Sequence, residues 1–196
     1  MPLVFFLLLV FRFPFYPAHM STSAIVRPTS SEYASHYARY IDLVTEADVL
    51  AALENQSKSA HALFASIPEE KASYRYAPDK WSIKEVLGHI IDSERVFAYR
   101  TLRFARNDAT ELPGFEQDDF AANANFDKLP LQNILREYEA VRMSTVLLLK
   151  HLSSDAWSRR GVANGSPITV RALAFAIAGH ELHHLGILKG KYLPGL

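Results

Sequence analysis

The chain has 196 residues, 49% of them hydrophobic, and its 21 basic and 21 acidic side chains give a formal net charge of zero. This length is enough for one domain with a substantial core. The balanced charge gives no support for nucleic acid or an anionic membrane surface as a partner. The chain contains no cysteine, which excludes disulfides, thiolate metal ligands and a cysteine nucleophile. We expect a cytoplasmic protein, because a cysteine-free chain is compatible with a reducing compartment.

The first nineteen residues form a separate segment with an apolar run at Leu3–Val10. Arg12, Pro14 and Pro17 interrupt the continuation of this run, which is too short for a membrane span of about 20 apolar residues. It also lacks the basic region of a secretory signal. Met20, followed by Ser-Thr-Ser, is typical of an ordinary protein start. We interpret residues 1–19 as a wrongly included upstream start, with a weak signal-like leader as the alternative, and predict no membrane association.

Residues 20–44 are rich in tyrosine and irregular in pattern. Tyr33, Tyr37 and Tyr40 recur at roughly helical spacing near Pro28. Two interpretations stay open for this N-terminal arm: a short helical arm packed on the body of the protein, or a mobile leader.

Residues 45–196 contain four long helical patterns with apolar positions three and four residues apart. Each pattern begins at a start signal: capping boxes at Thr45–Asp48 and Ser82–Glu85, a first-turn proline at Pro130, and a capping threonine at Thr169. A long loop from about Asn107 to Leu129 separates the second and third helices. No strand pattern is evident outside the turn-rich connection after Ser153. The sequence predicts an all-α fold, a four-helix bundle.

The fourth helix carries the sequence His180-Glu181-Leu182-His183-His184. His180 and His184 are one turn apart and lie on the apolar stripe of the helix, so their imidazoles can bind one metal ion together. Two buried histidines without a ligand would be costly unless they are hydrogen-bonded. We predict that both are metal ligands; hydrogen-bonded core histidines are the alternative.

The same letters match the H-E-x-x-H motif of zinc proteases, in which the glutamate is the general base. Those enzymes take a third ligand downstream of the helix, but residues 185–196 contain no His, Asp or Glu. Ile187 also stands where the metzincin extension requires glycine. We therefore disfavour the protease interpretation and expect the third ligand upstream.

Of the remaining histidines, His89 is the one placed to complete the site. It lies in the middle of the second helix, close to the buried face, and bundle cores build metal sites from facing helices. His89, His180 and His184 would leave further coordination positions open, as catalytic sites do. Asp92 and Glu94 either orient the imidazoles or are solvated charges. For the other histidines we expect surface or arm positions, and for His183 a partly exposed neighbour of the site or a proton relay.

Two segments together resemble one known family. Trp81-Ser82-Ile83-Lys84-Glu85-Val86-Leu87-Gly88-His89-Ile90-Ile91-Asp92-Ser93-Glu94 and Gly179-His180-Glu181-Leu182-His183-His184 are similar to the DinB-like (damage-inducible, YfiT-type) superfamily, over about residues 45–192. The resemblance implies an up-up-down-down-type four-helix bundle with a divalent metal on His89, His180 and His184. Nitrogen and oxygen ligands suit zinc, nickel, iron(II) and manganese alike.

The resemblance implies less about the reaction. Relatives include transferases that use bacillithiol, mycothiol or glutathione, and metal-dependent hydrolases. We therefore expect a small-molecule substrate, with a low-molecular-weight thiol or water as nucleophile, and a homodimer is compatible with the family. The alternative is a non-catalytic metal-binding stress-response bundle. Four arginines near the end of the second helix, Arg95, Arg100, Arg103 and Arg106, either complement the helix dipole, which we favour, or form a cationic rim for a carboxylate-bearing thiol.

Overall fold

A computed structural model describes residues 25–196, so the interpretation of residues 1–19 lies outside the described residues. The chain forms six α-helices and one hairpin in this range, in the order α1 (Ala38–Ile41), α2 (Val49–Ala65), α3 (Ile83–Ala105), α4 (Gln117–Ala124), α5 (Leu131–Lys150), β1 (Arg160–Ala163), β2 (Ser166–Thr169) and α6 (Val170–Ile187). Helix α6 continues into a π-helical turn at Leu188–Tyr192. The long helices α2, α3, α5 and α6 form the predicted four-helix bundle. None of the helices in residues 25–196 is long and apolar enough to cross a membrane.

Two of the predicted helix caps are present, and the predicted start of the first long helix is corrected. Ser82 and Glu85 form the predicted capping box of α3, and the Thr169 hydroxyl accepts a hydrogen bond from the Ala172 amide at the start of α6. The capping box predicted at Thr45 is wrong. Helix α2 begins at Val49, because the Asp48 carboxylate is the N-cap and accepts from the Leu50 amide.

The order of the helices around the bundle puts α2 and α3 diagonally opposite each other. Helix α3 packs on α5 and α6, and α2 packs on the same two helices. One apolar cluster contains the first residues of α2 and α6 and the last residues of α3 and α5. A second cluster contains the last residues of α2 and α6 and the first residues of α3 and α5. Therefore α2 and α6 run in one direction, and α3 and α5 run in the other.

This topology corrects the up-up-down-down expectation. The physical reason is the segment from Arg106 to Pro130, which is long enough to return the chain to the end of the bundle where α3 began. The long loop predicted between the second and third helices is present, but it is not irregular throughout. It contains α4 and a 3-10 turn at Phe126–Lys128.

Helix α6 is the central helix, and its first half is buried on all sides. Every residue from Ala172 to Glu181 is buried, unlike the one-sided stripe of an amphipathic helix. The additional cover comes from residues 25–44, which pack on α6 through α1 and bury Tyr37, Ile41 and Val44. The backbone carbonyl of Tyr40 approaches Gly179 so closely that a Cβ there would lie 2.0 Å from it.

The turn-rich connection after Ser153, where the sequence left a strand pattern open, forms an antiparallel hairpin within the otherwise helical fold. Strand β1 pairs with β2, and the chain turns at Asn164 and Gly165, both with positive φ. An Asn-Gly pair is the preferred sequence for such a tight turn, because both central residues need positive φ. The hairpin places the Asn164 side chain against Gly114 in the long loop.

Candidate metal centre

Helices α3 and α6 bring the three predicted histidines together. The Nε2 atom of His180 lies 3.1 Å from Nε2 of His89 and 3.2 Å from Nε2 of His184. His89 and His180 are buried, and His184 is half-buried. In the part of the chain that the structure describes, this is the group of His and carboxylate side chains whose geometry could hold a metal ion.

The spacing of these nitrogens fits one shared ion. Imidazole nitrogens bind zinc at about 2.0–2.1 Å, so two of them on one tetrahedral or octahedral ion are about 2.9–3.4 Å apart. The observed separations of 3.1 and 3.2 Å fall in that interval. Direct hydrogen bonds do not explain the cluster as well, because a neutral imidazole has one N–H and one lone pair, and here one Nε2 faces two others.

The surroundings keep the imidazoles uncharged. Burial lowers the pKa of His89 to about 4, with a smaller effect of His183. Burial also lowers the pKa of His184 to about 3 and that of His180 well below its ordinary value, and the neighbouring histidines act in the same direction. Neutral imidazoles have the free lone pairs that a metal requires.

Aromatic rings enclose the cluster on several sides. The Trp81 ring lies 4.6 Å from His89, measured between centroids, and Tyr40 and Phe97 meet His180 edge-on at 5.3 and 5.9 Å. Such an apolar shell limits solvent access and so controls the chemistry of a bound ion. Tyr40 comes from α1, which means that the N-terminal arm forms part of the wall.

One side of the cluster opens into a cavity of about 310 Å³. We call it the arginine cavity, because Arg39 and Arg100 lie in its wall beside His89 and His180. Part of the long loop, Gly114–Gln117, and Asn164 of the hairpin complete the wall. The long loop between α3 and α5 therefore contributes to the wall of a cavity beside the histidines. His184 faces a second cavity, of about 280 Å³, next to Trp81.

Glu181 points away from the histidines. Its carboxylate accepts hydrogen bonds from the Tyr138 hydroxyl at 2.8 Å and from the Arg142 guanidinium at 2.6 Å. Arg142 also donates to Glu94 and to the backbone carbonyl of Leu53 on α2. We call Tyr138, Arg142, Glu94 and Glu181 the buried charge network; its four members are at most 3% exposed.

The network has perturbed pKa values with clear causes. Burial raises the pKa of the Glu181 carboxyl, while the Arg142 guanidinium lowers it to a lesser extent. Burial alone would lower the pKa of Arg142, but Glu181 and Glu94 together raise it above its ordinary value. Both interpretations of Glu94 from the sequence are wrong: it is neither a solvated charge nor a partner of an imidazole, because Arg142 on the facing helix binds it.

The other polar candidates lie outside the cluster. Asp92 is half-buried with its carboxylate 3.5 Å from Arg95, and burial raises its pKa. His183 is half-buried, with its ring 5.4 Å from that of Tyr40. His61 pairs with Glu139 across α2 and α5, and His151 is exposed at the end of α5. His36 is exposed in the arm, at the arginine cavity.

Comparison with known proteins identifies the family of this chain and supports the fold. The profile of the DinB superfamily matches residues 52–188. The chain belongs to the DinB superfamily. It is 28% identical over 127 residues to a protein of Oceanobacillus iheyensis named "Putative metal-dependent hydrolase". The aligned residues cover 63% of this chain and 72% of the relative. It is 22% identical over 139 residues to a Geobacillus thermodenitrificans protein of the same name, which covers 69% of this chain and 77% of the relative.

Solved structures show the same fold at low sequence identity. YfiT from Bacillus subtilis, described as a probable metal-dependent hydrolase with an unusual four-helix bundle topology, superposes with a TM-score of 0.61 at 16% identity and covers 83% of this chain and 89% of its own. A mycothiol-dependent maleylpyruvate isomerase superposes with a TM-score of 0.58 at 11% identity, over 70% of this chain and 58% of its own. These likenesses show the fold.

Proposed function

We propose that the protein binds one divalent metal ion through His89, His180 and His184 and acts on a small molecule in the arginine cavity. The observation that carries this proposal is the convergence of three neutral imidazole nitrogens at the edge of a cavity. A divalent ion bound there would lower the pKa of a bound water or thiol and supply a nucleophile near neutral pH. The names of the relatives favour hydrolysis, and the isomerase with the same fold makes thiol chemistry the second candidate.

The residues of the chain have definable parts in this activity. The imidazoles supply three nitrogen ligands, which leave coordination positions for a nucleophile and a substrate. Trp81 and Phe97 limit water around the ligands and so strengthen electrostatic interactions within the site. The loop Gly114–Gln117 and the arm residue Tyr40 bound the space in which a substrate must lie. The absence of cysteine from the sequence means that any thiol comes from a second substrate.

Metal ligation is tested by single substitutions. His89→Ala, His180→Ala and His184→Ala should each remove most of the bound metal, because two remaining imidazoles hold an ion far less tightly. His61→Ala and His151→Ala are matched controls, since both histidines lie away from the cluster. Elemental analysis of the purified proteins measures the effect and identifies zinc, nickel, iron or manganese. Full occupancy in His89→Ala would contradict the proposed ligand set.

Catalysis is tested by removing the metal. Chelation should abolish activity, because the metal supplies the nucleophile. It should lower the thermal midpoint only modestly, because two apolar clusters already fill the bundle. A closed structural site would instead lose much of its folding free energy with the metal. The assay compares melts of apo and loaded protein, together with ester, amide and thiol-transfer substrates and His180→Ala as the blank. A large loss of stability with no turnover would favour the non-catalytic alternative.

A further inference from the structure

Arg100 is a buried cation that lacks an acidic partner. Its side chain is 4% exposed, and its guanidinium donates a hydrogen bond to the backbone carbonyl of Pro113 at 2.9 Å. The other buried cations in residues 25–196 are Lys84 and Arg142, and each has a carboxylate within 2.7 Å. Arg100 has no carboxylate within 4.0 Å among the described residues. Burying an unpaired charge is costly, so its retention needs an explanation.

The helix dipole does not explain this arginine well. The dipole favours cations in the last turn of a helix, and Arg103 occupies that turn of α3, where it pairs with Asp108. Arg100 lies one turn earlier and faces inward, into the arginine cavity. For Arg100 we therefore favour the cationic rim over the dipole interpretation, whereas exposed Arg95 and half-buried Arg103 pair with carboxylates.

The cavity brings this cation near the histidine cluster. The Phe97 ring lies between them, 5.8 Å from Arg100 Cζ and 5.9 Å from the His180 ring. Arg39, on α1, contributes a second, exposed guanidinium to the same cavity, stacked on Tyr40 at 4.7 Å. Glu116 also lies in the wall, but it is exposed and forms no ion pair with either arginine among the described residues.

We infer that the arginine cavity binds the carboxylate of a small organic acid at Arg100, so that the opposite end of that molecule reaches the site formed by His89 and His180. The planar guanidinium matches a carboxylate in shape and charge and can donate two parallel hydrogen bonds to it. One of its nitrogens already binds Pro113, which orients the group. Exposed Arg39 adds positive potential at the cavity and attracts anions. This assignment of substrate class rests on the proposed metal-dependent function.

The experiment uses probes with a thiol at one end and a carboxylate at the other. A series of unbranched ω-mercapto acids with two to six carbons is compared with the matching ω-mercapto amides, which have the same shape and no charge. The protein is loaded with cobalt(II), and the sulfur-to-cobalt absorption band reports coordination of the thiol while calorimetry reports binding. We expect the acid of optimal length to bind at least roughly tenfold more tightly than its amide, since hydrogen bonds to a charged group contribute about 1.5–3 kcal/mol.

Variants separate this subsite from simple chelation of the metal. Arg100→Gln should reduce the preference for acid over amide to less than about threefold, whereas Arg100→Lys should keep part of it because the charge remains. Arg95→Gln, on the exposed side of the same helix, is the matched control and should bind like the wild type. Cobalt content and circular dichroism establish that each variant is folded and loaded.

The outcomes distinguish the two proposals. Equal binding of acids and amides by loaded wild-type protein would overturn the carboxylate subsite and leave metal binding intact. An acid preference that survives in Arg100→Gln would overturn it as well, because the carboxylate would then be bound elsewhere. If the protein takes up no metal but calorimetry still shows an acid preference that depends on Arg100, the metal-dependent function fails and the subsite stands.

Discussion

His180 and Glu181 are neighbours on α6, yet they belong to two polar regions with opposite properties. The histidine cluster is uncharged and opens to a cavity. The buried charge network contains two carboxylates and a guanidinium, and it is closed to solvent. Adjacent residues on a helix point about 100° apart, so one helix can serve both regions.

The histidine cluster can bind an external ligand, whereas the side chains of the buried charge network bind only one another and the protein backbone. Arg142 reaches from α5 to Leu53 on α2, Glu94 on α3 and Glu181 on α6, so it links all four bundle helices. The donors and most of the acceptors of the buried charge network are satisfied within the protein. The network therefore fixes how the helices pack, and the histidines on the other side of α6 retain lone pairs for an external ligand.

The largest expected effect on stability comes from breaking the buried charge network. Arg142→Met leaves Glu94 and Glu181 buried without their cation, and removal of one partner from a buried ion pair costs about 3–5 kcal/mol. We expect the free energy of unfolding, measured by urea denaturation, to fall by that amount. Metal content should fall only as far as the folded fraction does, because Arg142 does not contact the histidines.

Two further variants test this prediction. Lys150→Met removes an exposed cation from the same helix, where it pairs with Glu54, and should change stability by at most about 1 kcal/mol. Replacing Glu94, Arg142 and Glu181 together with Met should restore much of the loss, because an apolar set of similar size avoids unpaired charges. A triple variant less stable than Arg142→Met would contradict this account.

The histidine cluster could be predicted from the sequence far better than the buried charge network. His180 and His184 are separated by one helical turn, a local spacing that the letters show directly, and His89 follows once the bundle is assumed. The charge network depends on Glu94, Arg142 and Glu181, which meet only after three helices pack. Nothing local distinguishes Glu94 or Arg142 from solvated helix charges.

The same reasoning explains the other differences. The order and direction of the bundle helices depend on the path of the long crossover, and helical periodicity carries no information about that path. The sequence left a strand pattern open in the connection after Ser153 but predicted no hairpin there, because strands of four residues each are too short for a clear alternation. Arg100 was one of four arginines with similar spacing, and only packing shows that it alone among them is buried.

The N-terminal arm forms part of the wall around the histidine cluster, and a substitution at Gly179 tests how closely the arm packs there. A Cβ at this position would meet the Tyr40 carbonyl carbon at 2.3 Å and its oxygen at 2.0 Å, and backbone atoms cannot move aside as a flexible side chain can. Gly179→Ala should therefore displace α1 from α6 and lower the unfolding free energy by about 1–3 kcal/mol, a typical cost of overpacking. Urea denaturation measures the loss.

Gly186→Ala is the matched control for the arm. A Cβ there meets nothing within 4 Å, and alanine is favoured over glycine in a helix by about 1 kcal/mol. This variant should be as stable as the wild type or more so. If Gly179→Ala behaves in the same way, close packing of the arm does not restrict this position.

The smallest expected effect concerns the anchor at the other end of the arm. Glu32 accepts hydrogen bonds from Arg171 at 2.7 Å and from the Thr169 hydroxyl at 2.9 Å. Burial tends to raise the pKa of Glu32, but these bonds and one from the Thr29 amide outweigh it and hold the pKa below its ordinary value of 4.5. Because the folded state favours the ionised form, this contribution to stability is present above pH 4.5 and is lost as the pH falls through the lowered pKa.

Glu32→Gln should accordingly cost about 1–2 kcal/mol at pH 7, somewhat less than a fully buried charged hydrogen bond because Arg171 is partly exposed. The deficit relative to wild type should shrink as the pH falls from 4.5 through the lowered pKa of Glu32, since the wild-type carboxyl then becomes protonated. Unfolding free energies measured across this range provide the test, with exposed Glu70→Gln as the control that should show no such difference. A deficit that stays constant with pH would mean that the shape of the Glu32 side chain, and not its charge, anchors the arm beside the arginine cavity.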